Sequence, residues 1–184
     1  MPATPPPSAR RAELLELAYR YALTHGLAGM SLRPLAEAVG SSPRVLLFLF
    51  GSKEELVRAL LGRSRAEELA LLDEVRAAGA DATEAVLRLW DWLAEPEHRG
   101  LLRLWAEGYG RSLVEPDGPW RGFAADSVRD WLALLGELLG RDDAGVRATA
   151  VLAALRGGLL DLLATDDVQR TTAAVRAQVA VLAP

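Results

Sequence analysis

The side chains best suited to binding chemistry are serines and cations between residues 31 and 53. Arg44 can donate a bidentate pair of hydrogen bonds that matches O6 and N7 of guanine. Arg33, earlier in the sequence, carries the same guanidinium group. Lys53 is the only lysine in the chain. Ser31 and Ser42 precede apolar runs, where a hydroxyl caps a helix and free amides can hold a phosphate. These residues predict a nucleic-acid contact; a solvated lysine and two ordinary capping serines are the alternative.

Residues that could support catalysis or hold a metal are scarce. The chain has no cysteine, which excludes disulfides, thiolate metal sites and cysteine nucleophiles. Its two histidines, His25 and His98, stand far apart in the sequence, without metal-ligand spacing to carboxylates. Gly108 and Gly110 lack the strand-turn-helix context of a phosphate-binding loop. We therefore predict no enzymatic activity, no cofactor and no metal site.

The elements that must position the serines and cations form a helix-turn-helix over residues 31–56. Apolar residues at helical spacing follow the first serine and stop at Gly40, because glycine readily ends a helix in the left-handed conformation. Ser42-Pro43 then forms an N-cap with proline at the first helical position. Gly51 ends this second helix, and the capping box at Ser52–Glu55 opens a third.

These features resemble the N-terminal domain of tetracycline-repressor-like (TetR) regulators, over about the first third of the chain. The resemblance depends on the order of the residues. They are Arg10 and Arg11, an amphipathic helix that ends at His25-Gly26, Met30-Ser31-Leu32, Leu35-Ala36, Gly40, Leu46 and Phe50–Leu56.

The resemblance implies an all-α, homodimeric bacterial transcriptional regulator in the cytoplasm, with about nine helices. Residues 1–7, rich in proline, are expected to form a disordered arm. Residues 8–65 are expected to form a three-helix DNA-binding head, and residues 66–184 a helical body for ligand binding and dimerisation. We expect a repressor whose heads bind a palindromic operator in double-stranded DNA. A small, largely apolar effector in the body would release that DNA.

The second helix of the pair departs from the family's pattern. Near its end it has leucine and phenylalanine where the family often has a Tyr and a His that hydrogen-bond phosphates. Leu46 and Phe50 are expected in the core, whereas Val45 and Leu47 are expected to press on thymine methyl groups. The predicted DNA-binding residues are Ser31, Arg33, Ser42, Pro43, Arg44, Val45, Leu47 and Lys53. The alternative is a degenerate head, on a protein that binds a ligand or a partner and binds DNA weakly or not at all.

The distribution of charge suits a nucleic-acid binder, although the net charge of the chain is −4. Residues 1–65 carry nine basic and five acidic side chains, a net charge of +4, and residues 66–184 carry twelve basic and twenty acidic, a net charge of −8. A positive head on an acidic body is the expected pattern, and a chance fluctuation is the alternative. No apolar run of about 18 residues and no signal-peptide core is present, so we expect an intracellular protein without membrane contact.

Aromatic residues fall on the apolar faces of successive predicted helices in the body. Together they predict a pocket for a flat or apolar effector. The predicted pocket residues are Trp90, Trp105, Tyr109, Phe123 and Trp131. The alternative is that each packs in an ordinary core, and polar neighbours such as Glu107 are expected to be solvated.

The last two predicted helices, at about residues 143–164 and 168–182, combine small with large apolar residues. Because small residues allow helices to approach closely, two copies of this pair are predicted to form a four-helix dimer interface. The predicted contacts are Ala154, Leu155, Gly158, Leu159, Leu162, Val175 and Val179. The alternative is a pair of core helices within one chain.

Overall fold

A computed structural model describes residues 7–77, 81–115, 117–140 and 144–182. These residues contain nine α-helices and one short 3-10 turn and no strand, which confirms the all-α prediction. The helices are α1 (Pro7–His25), α2 (Leu32–Ala38), α3 (Pro43–Phe50), α4 (Lys53–Ala77), α5 (Ala82–Ala94), α6 (Arg99–Val114), α7 (Phe123–Leu139), α8 (Ala144–Thr165) and α9 (Val168–Leu182). The arm expected at residues 1–7 lies outside the described residues except for Pro7, where α1 begins.

The chain divides into two compact units, and the first contains the predicted helix-turn-helix. Unit 1 comprises the described residues up to Arg65 together with Arg103–Ala124. Residues 103–124 had been assigned to the body. They belong to unit 1 because Leu104, Trp105 and Phe123 are buried in the same core as residues of α1, α2 and α3. Where the ligand-binding and dimerisation domain begins stays a prediction.

Unit 2 comprises Ala66–Leu102 and the described residues from Ala125 onward. Helices α5, α8 and α9 pack on one another within it. Its core includes the fully buried side chains of Leu89, Trp90 and Leu134, together with residues of α8 and α9.

Local residue chemistry explains where the helices of the head begin and end. The hydroxyl of Ser42 accepts a hydrogen bond from the Val45 amide at 3.2 Å, which caps α3. Gly40 and Gly51 adopt φ values of +63° and +87°, a region that favours glycine. Ser31 occupies the N-cap position of α2 in an extended conformation, but its side chain makes no capping hydrogen bond. The predicted capping role of the Ser31 hydroxyl is therefore wrong.

Two helices of the chain begin after distinct local features. A 3-10 turn at Pro96–His98 precedes α6, which runs from Arg99 to Val114. Gly122, with φ of +78°, interrupts the backbone before α7 begins at Phe123. The start predicted at about residue 143 lies outside the described residues, and α8 begins at Ala144.

Helix α8 is unusually apolar. Among the described residues, Gly145–Thr165 is the one helical segment with the length and hydropathy of a membrane span, at a mean hydropathy of 1.4. One third of that segment is buried inside the chain. A core or interface helix also meets these criteria, so one such helix is weak support for a membrane span.

Candidate nucleic-acid interface

Helix α3 is held in unit 1 by one face. Leu46 is fully buried and Phe50 is 6% exposed. The guanidinium carbon of Arg11 on α1 lies 4.9 Å from the centre of the Phe50 ring, a cation–π contact. Arg10, its neighbour, pairs with Glu13 at 2.8 Å. Arg11 therefore helps to hold α3 in place, a contact that sequence reasoning missed because the two residues are 39 positions apart.

The opposite face of α3 is exposed and mostly apolar. Val45 and Leu47 are 38% and 39% exposed, and Phe48 is 81% exposed. With about 100° of rotation per residue, Phe48 projects roughly opposite to the midpoint of Leu46 and Phe50. Phe48 is therefore the most exposed of the large apolar side chains of α3. We call Val45, Leu47 and Phe48 the apolar ridge.

Exposed cations lie close to the apolar ridge in the sequence, and one of them lies on α3 itself. Arg44 lies one helical turn before Phe48 on the same face of α3. Arg33 near the start of α2 is also exposed, and neither arginine forms a hydrogen bond or ion pair within the described parts of the chain. Both guanidinium groups are thus free to bind an external acceptor.

Lys53 is exposed at the first position of α4, where the helix presents unpaired backbone amides. The Ser52 hydroxyl accepts a hydrogen bond from the Glu55 amide at 3.1 Å, which confirms the predicted cap. Hydrogen bonds from its own backbone amide and from Ser52 lower the pKa of the neighbouring Glu54 carboxyl. The start of α4 therefore favours negative charge, as a phosphate contact requires.

The other predicted contact residues are also accessible. Ser31 is exposed, and Pro43 is exposed at the start of α3. Ser42 is half-buried and uses its hydroxyl for the cap of α3. A free hydroxyl at Ser31 can donate to a phosphate, whereas Ser42 is committed to the helix. The assignment of these residues to DNA binding stays a prediction.

A long-range hydrogen bond supports the start of the helix-turn-helix. Glu107 on α6 accepts a hydrogen bond from the backbone amide of Leu27 at 2.8 Å, through its Oε2 atom. Leu27 is only 2% exposed, so its amide would otherwise be buried without an acceptor. Glu107 had been expected to be solvated, and that expectation is wrong. No sequence pattern reveals a partner 80 residues away.

Unit 1 is electropositive as the structure defines it. Its sequence ranges hold twelve basic and eight acidic side chains, a net charge of +4, whereas those of unit 2 hold nine and seventeen, a net charge of −8. The three cations and three acids of residues 103–124 cancel one another, so the charge difference predicted from the sequence persists.

The predicted pocket residues are divided between the two units. Trp105, Tyr109 and Phe123 belong to unit 1, where the rings of Trp105 and Tyr109 are 5.4 Å apart. Trp90 and Trp131 are buried in the core of unit 2. The indole Nε1 of Trp90 donates to the Thr172 hydroxyl at 3.0 Å. These contacts explain the burial of the residues within each unit, and a shared effector pocket stays a prediction.

A buried polar cluster in unit 2 was not found from the sequence. The Glu68 carboxylate accepts hydrogen bonds from the Trp131 indole and, at 3.3 Å, from the Ser127 hydroxyl. The Arg156 guanidinium donates to Ser127 at 3.2 Å. Burial raises the pKa of Glu68, although the two hydrogen bonds and Arg156 oppose that effect.

Five of the seven predicted dimer contacts are buried within the single chain. They are Leu155, Leu159, Leu162, Val175 and Val179. A Cβ atom at Gly158 would lie 2.5 Å from Cγ2 of Val175. These residues pack α8 on α9 in one copy, and their role in a dimer stays a prediction.

The exposed face of α8 offers a different set of contacts. Helical spacing places its members within an arc of about 60°, and none is charged. We call them the α8 stripe, which consists of Val146, Ala153, Gly157, Leu160 and Ala164. Val146 is 75% and Leu160 is 52% exposed. The sequence pattern did not separate this face from the buried one because both are apolar.

One histidine approaches carboxylates more closely than the sequence suggested. Ligand atoms of Glu95, Glu97 and His98 lie within 4.8 Å of one another. However, His98 Nδ1 donates to the Trp92 carbonyl at 2.6 Å, and its ring stacks on the Trp92 indole. These contacts with Trp92 give His98 a structural role.

Comparisons with known proteins agree with this geometry. Residues 14–60 match the family model described as bacterial regulatory proteins, tetR family. No curated protein matches the chain.

Solved structures extend the likeness to the whole chain. A transcriptional regulator from Rhodococcus sp. Rha1 is 22% identical, with a TM-score of 0.81 over 94% of this chain and 95% of that one. A TetR-family regulator from Cytophaga hutchinsonii is 17% identical, with a TM-score of 0.83 over 99% and 97%. A protein described as a transcriptional regulator from Saccharomonospora viridis, solved in complex with choline, is 21% identical, with a TM-score of 0.77 over 95% of each chain. The chain therefore contains the N-terminal domain of the tetR family of bacterial regulatory proteins, within the fold of TetR-family transcriptional regulators.

Proposed function

We propose that this protein is a transcriptional repressor that binds a palindromic DNA operator through α3. The observation that carries the proposal is the outward face of α3, where Arg44 is exposed and has no hydrogen-bond or ion-pair partner among the described residues. Arg44 would donate to O6 and N7 of a guanine in the major groove. Arg33, Lys53 and the Ser31 hydroxyl would hold the phosphate backbone, because each is exposed and carries a donor.

The proposed repressor acts as a homodimer in the cytoplasm. Two heads would address successive major grooves, about 34–36 Å apart, and the symmetry of the dimer would explain a palindromic site. The α8 stripe supports this proposal because it is apolar, exposed and rich in small residues. The interface would thus use the outer face of α8 instead of the buried residues that the sequence pattern indicated.

The proposed effector is a small molecule that binds the body of the protein. Its binding would release DNA if it favours a conformation of the dimer that fits the operator poorly. The likeness to a regulator solved with choline makes choline the first compound to test. Addition of choline to the complex of protein and operator, followed by fluorescence anisotropy, checks this directly.

The second candidate function is a ligand- or partner-binding protein with weak or no DNA binding. The observation that favours it is Phe48, an aromatic side chain that is 81% exposed on the recognition helix and cannot hydrogen-bond a phosphate. An exposed aromatic group of this kind also occurs at protein interfaces.

Selection of binding sites from random duplex DNA distinguishes the two functions. For a repressor we expect enrichment of one palindrome, with affinity that falls as salt rises. Arg44→Ala should weaken binding to that palindrome by about 30-fold or more, because each of the two half-sites loses a bidentate guanine contact of about 1–3 kcal/mol. Arg88→Ala, in unit 2, is the matched control. Equal affinity of the wild-type protein for the selected and the scrambled duplex would refute the proposed function.

A further inference from the structure

The apolar ridge is a feature that the packing of unit 1 does not explain. Phe48 is the most exposed of the large apolar side chains of α3, at 81%, and Val45 and Leu47 flank it at 38% and 39%. Leu46 and Phe50 already supply the buried face of the helix. Contact with a partner removes exposed apolar groups from water, which is favourable. The apolar ridge is therefore suited to contact an apolar surface.

The cations near the ridge identify the kind of surface. Arg44 and Phe48 are neighbours on one face of α3, one helical turn apart. Arg33 and Lys53 carry further exposed positive charge at the starts of α2 and α4. A partner that matches this pattern has negative charge at its edges and apolar groups between them. The major groove has this character, because phosphates line it and thymine places a C5-methyl group on its floor.

We propose that the apolar ridge reads the C5-methyl groups of thymines that neighbour the guanine bound by Arg44. This inference rests on the proposed function and specifies the chemistry of the operator. Phe48 makes the main methyl contact because it is the most exposed of the large apolar side chains of α3, and Val45 and Leu47 enclose the methyl group from the sides. Each half-site therefore contains a guanine with thymine within about one helical turn of α3, which spans roughly 5 Å.

Replacement of thymine by uracil isolates this contact. Uracil keeps the Watson–Crick pairing and every hydrogen-bonding group of thymine and lacks only the methyl group. Burial of one methyl-sized group corresponds to about a fourfold change in the dissociation constant. A palindrome carries each contact twice, so substitution in both half-sites should weaken binding by roughly 15-fold.

The experiment measures six dissociation constants, for three full-length proteins on two duplexes. The probes are the selected palindrome synthesised with thymine and the same duplex synthesised with deoxyuridine in its place. The wild-type protein should prefer thymine by about 15-fold, and Phe48→Ala should bind both duplexes equally. Leu113→Ala is the matched control, because Leu113 is a 67% exposed apolar residue in the same unit on a different helix. That variant should keep the wild-type preference for thymine.

Failure of this inference can be distinguished from failure of the proposed function. Sequence-specific binding with equal affinity for thymine and uracil would overturn the methyl contact and leave the repressor intact. A Phe48→Ala protein that still prefers thymine would overturn the role of Phe48. If no palindrome is selected and Phe48→Ala instead abolishes association with a protein partner, both the repressor and the methyl contact are refuted.

Discussion

Glu68 is a carboxyl group whose pKa is raised by its surroundings in unit 2. Its carboxylate lies among the buried side chains of Ser127 and Trp131, with Arg156 nearby. Burial disfavours the charged form and is the largest influence on its pKa. Protonation of Glu68 is therefore coupled to the stability of the fold.

The raised pKa of Glu68 predicts a loss of stability as pH rises. Between the ordinary value of 4.5 and the raised value, the folded state keeps a proton that the unfolded state has lost. The free energy of unfolding must therefore fall as pH increases through this interval. Glu68→Gln is neutral at every pH and keeps an oxygen that can accept from Trp131. We expect its stability relative to the wild-type protein to increase between pH 4 and pH 8.

Urea unfolding at several pH values measures this change. Glu74→Gln is the matched control, because Glu74 is exposed on the same helix. The control should follow the wild-type pH profile closely. A constant difference between Glu68→Gln and the wild-type protein across this range would show that Glu68 does not titrate as its surroundings imply.

At the scale of elements, the adjacent glycines of α8 have opposite surroundings. A Cβ atom at Gly158 would lie 2.5 Å from Val175 Cγ2 and 2.9 Å from Trp90 Cζ3. A Cβ atom at Gly157 would meet nothing within 4 Å. Gly158 thus permits the close approach of α8 to α9 and α5, whereas Gly157 lies on the α8 stripe.

Alanine at each position should change stability in opposite directions. Gly158→Ala should destabilise the protein by about 1–3 kcal/mol, because the added methyl group overpacks the contact of the three helices. Gly157→Ala should stabilise it by about 0.5–1 kcal/mol, because alanine has the higher helix propensity. Urea unfolding at one protein concentration measures both, with Gly157→Ala as the matched control. Equal destabilisation by both variants would show that the close contact with Val175 and Trp90 does not distinguish Gly158 from Gly157.

Helix ends were predictable where they depend on adjacent residues. Ser42-Pro43 and Gly51 place α3 at the residues the structure shows, because caps and left-handed glycines act locally. Contacts between residues that are distant in the sequence were not predictable. The close helix approach at Gly158 was expected, but its partners Val175 and Trp90 lie in the same chain. Likewise, periodicity alone does not reveal which apolar face of a helix such as α8 becomes buried.

The sequence pattern also does not show which side of α3 is exposed to solvent. The sequence places Val45 and Leu47 at the DNA, and the structure adds Phe48 as the most exposed of the large apolar side chains of α3. The eight residues of α3 are nearly all apolar, so only packing against the rest of unit 1 separates the buried side from the exposed one. The predicted role of Arg44 remains compatible with its exposed position.

At the scale of the whole molecule, the proposed repressor requires a dimer, because a palindromic operator offers one half-site to each head. The apolar α8 stripe is the feature of unit 2 best suited to a second copy. Its exposed members include Leu160 and Val146, while the buried face of α8 is already used within the chain. Dimer formation should therefore depend on the stripe and not on the predicted contacts Leu155 and Leu159.

Leu160→Arg tests this assignment, because the substitution places a charge in the centre of an interface that we propose to be apolar. We expect the wild-type protein to sediment as a dimer and Leu160→Arg as a folded monomer with weaker affinity for the palindrome. Val114→Arg is the matched control, since Val114 is a 72% exposed apolar residue on α6. That variant should remain dimeric. A Leu160→Arg protein that sediments as a dimer over the same concentration range would show that the stripe does not form the interface.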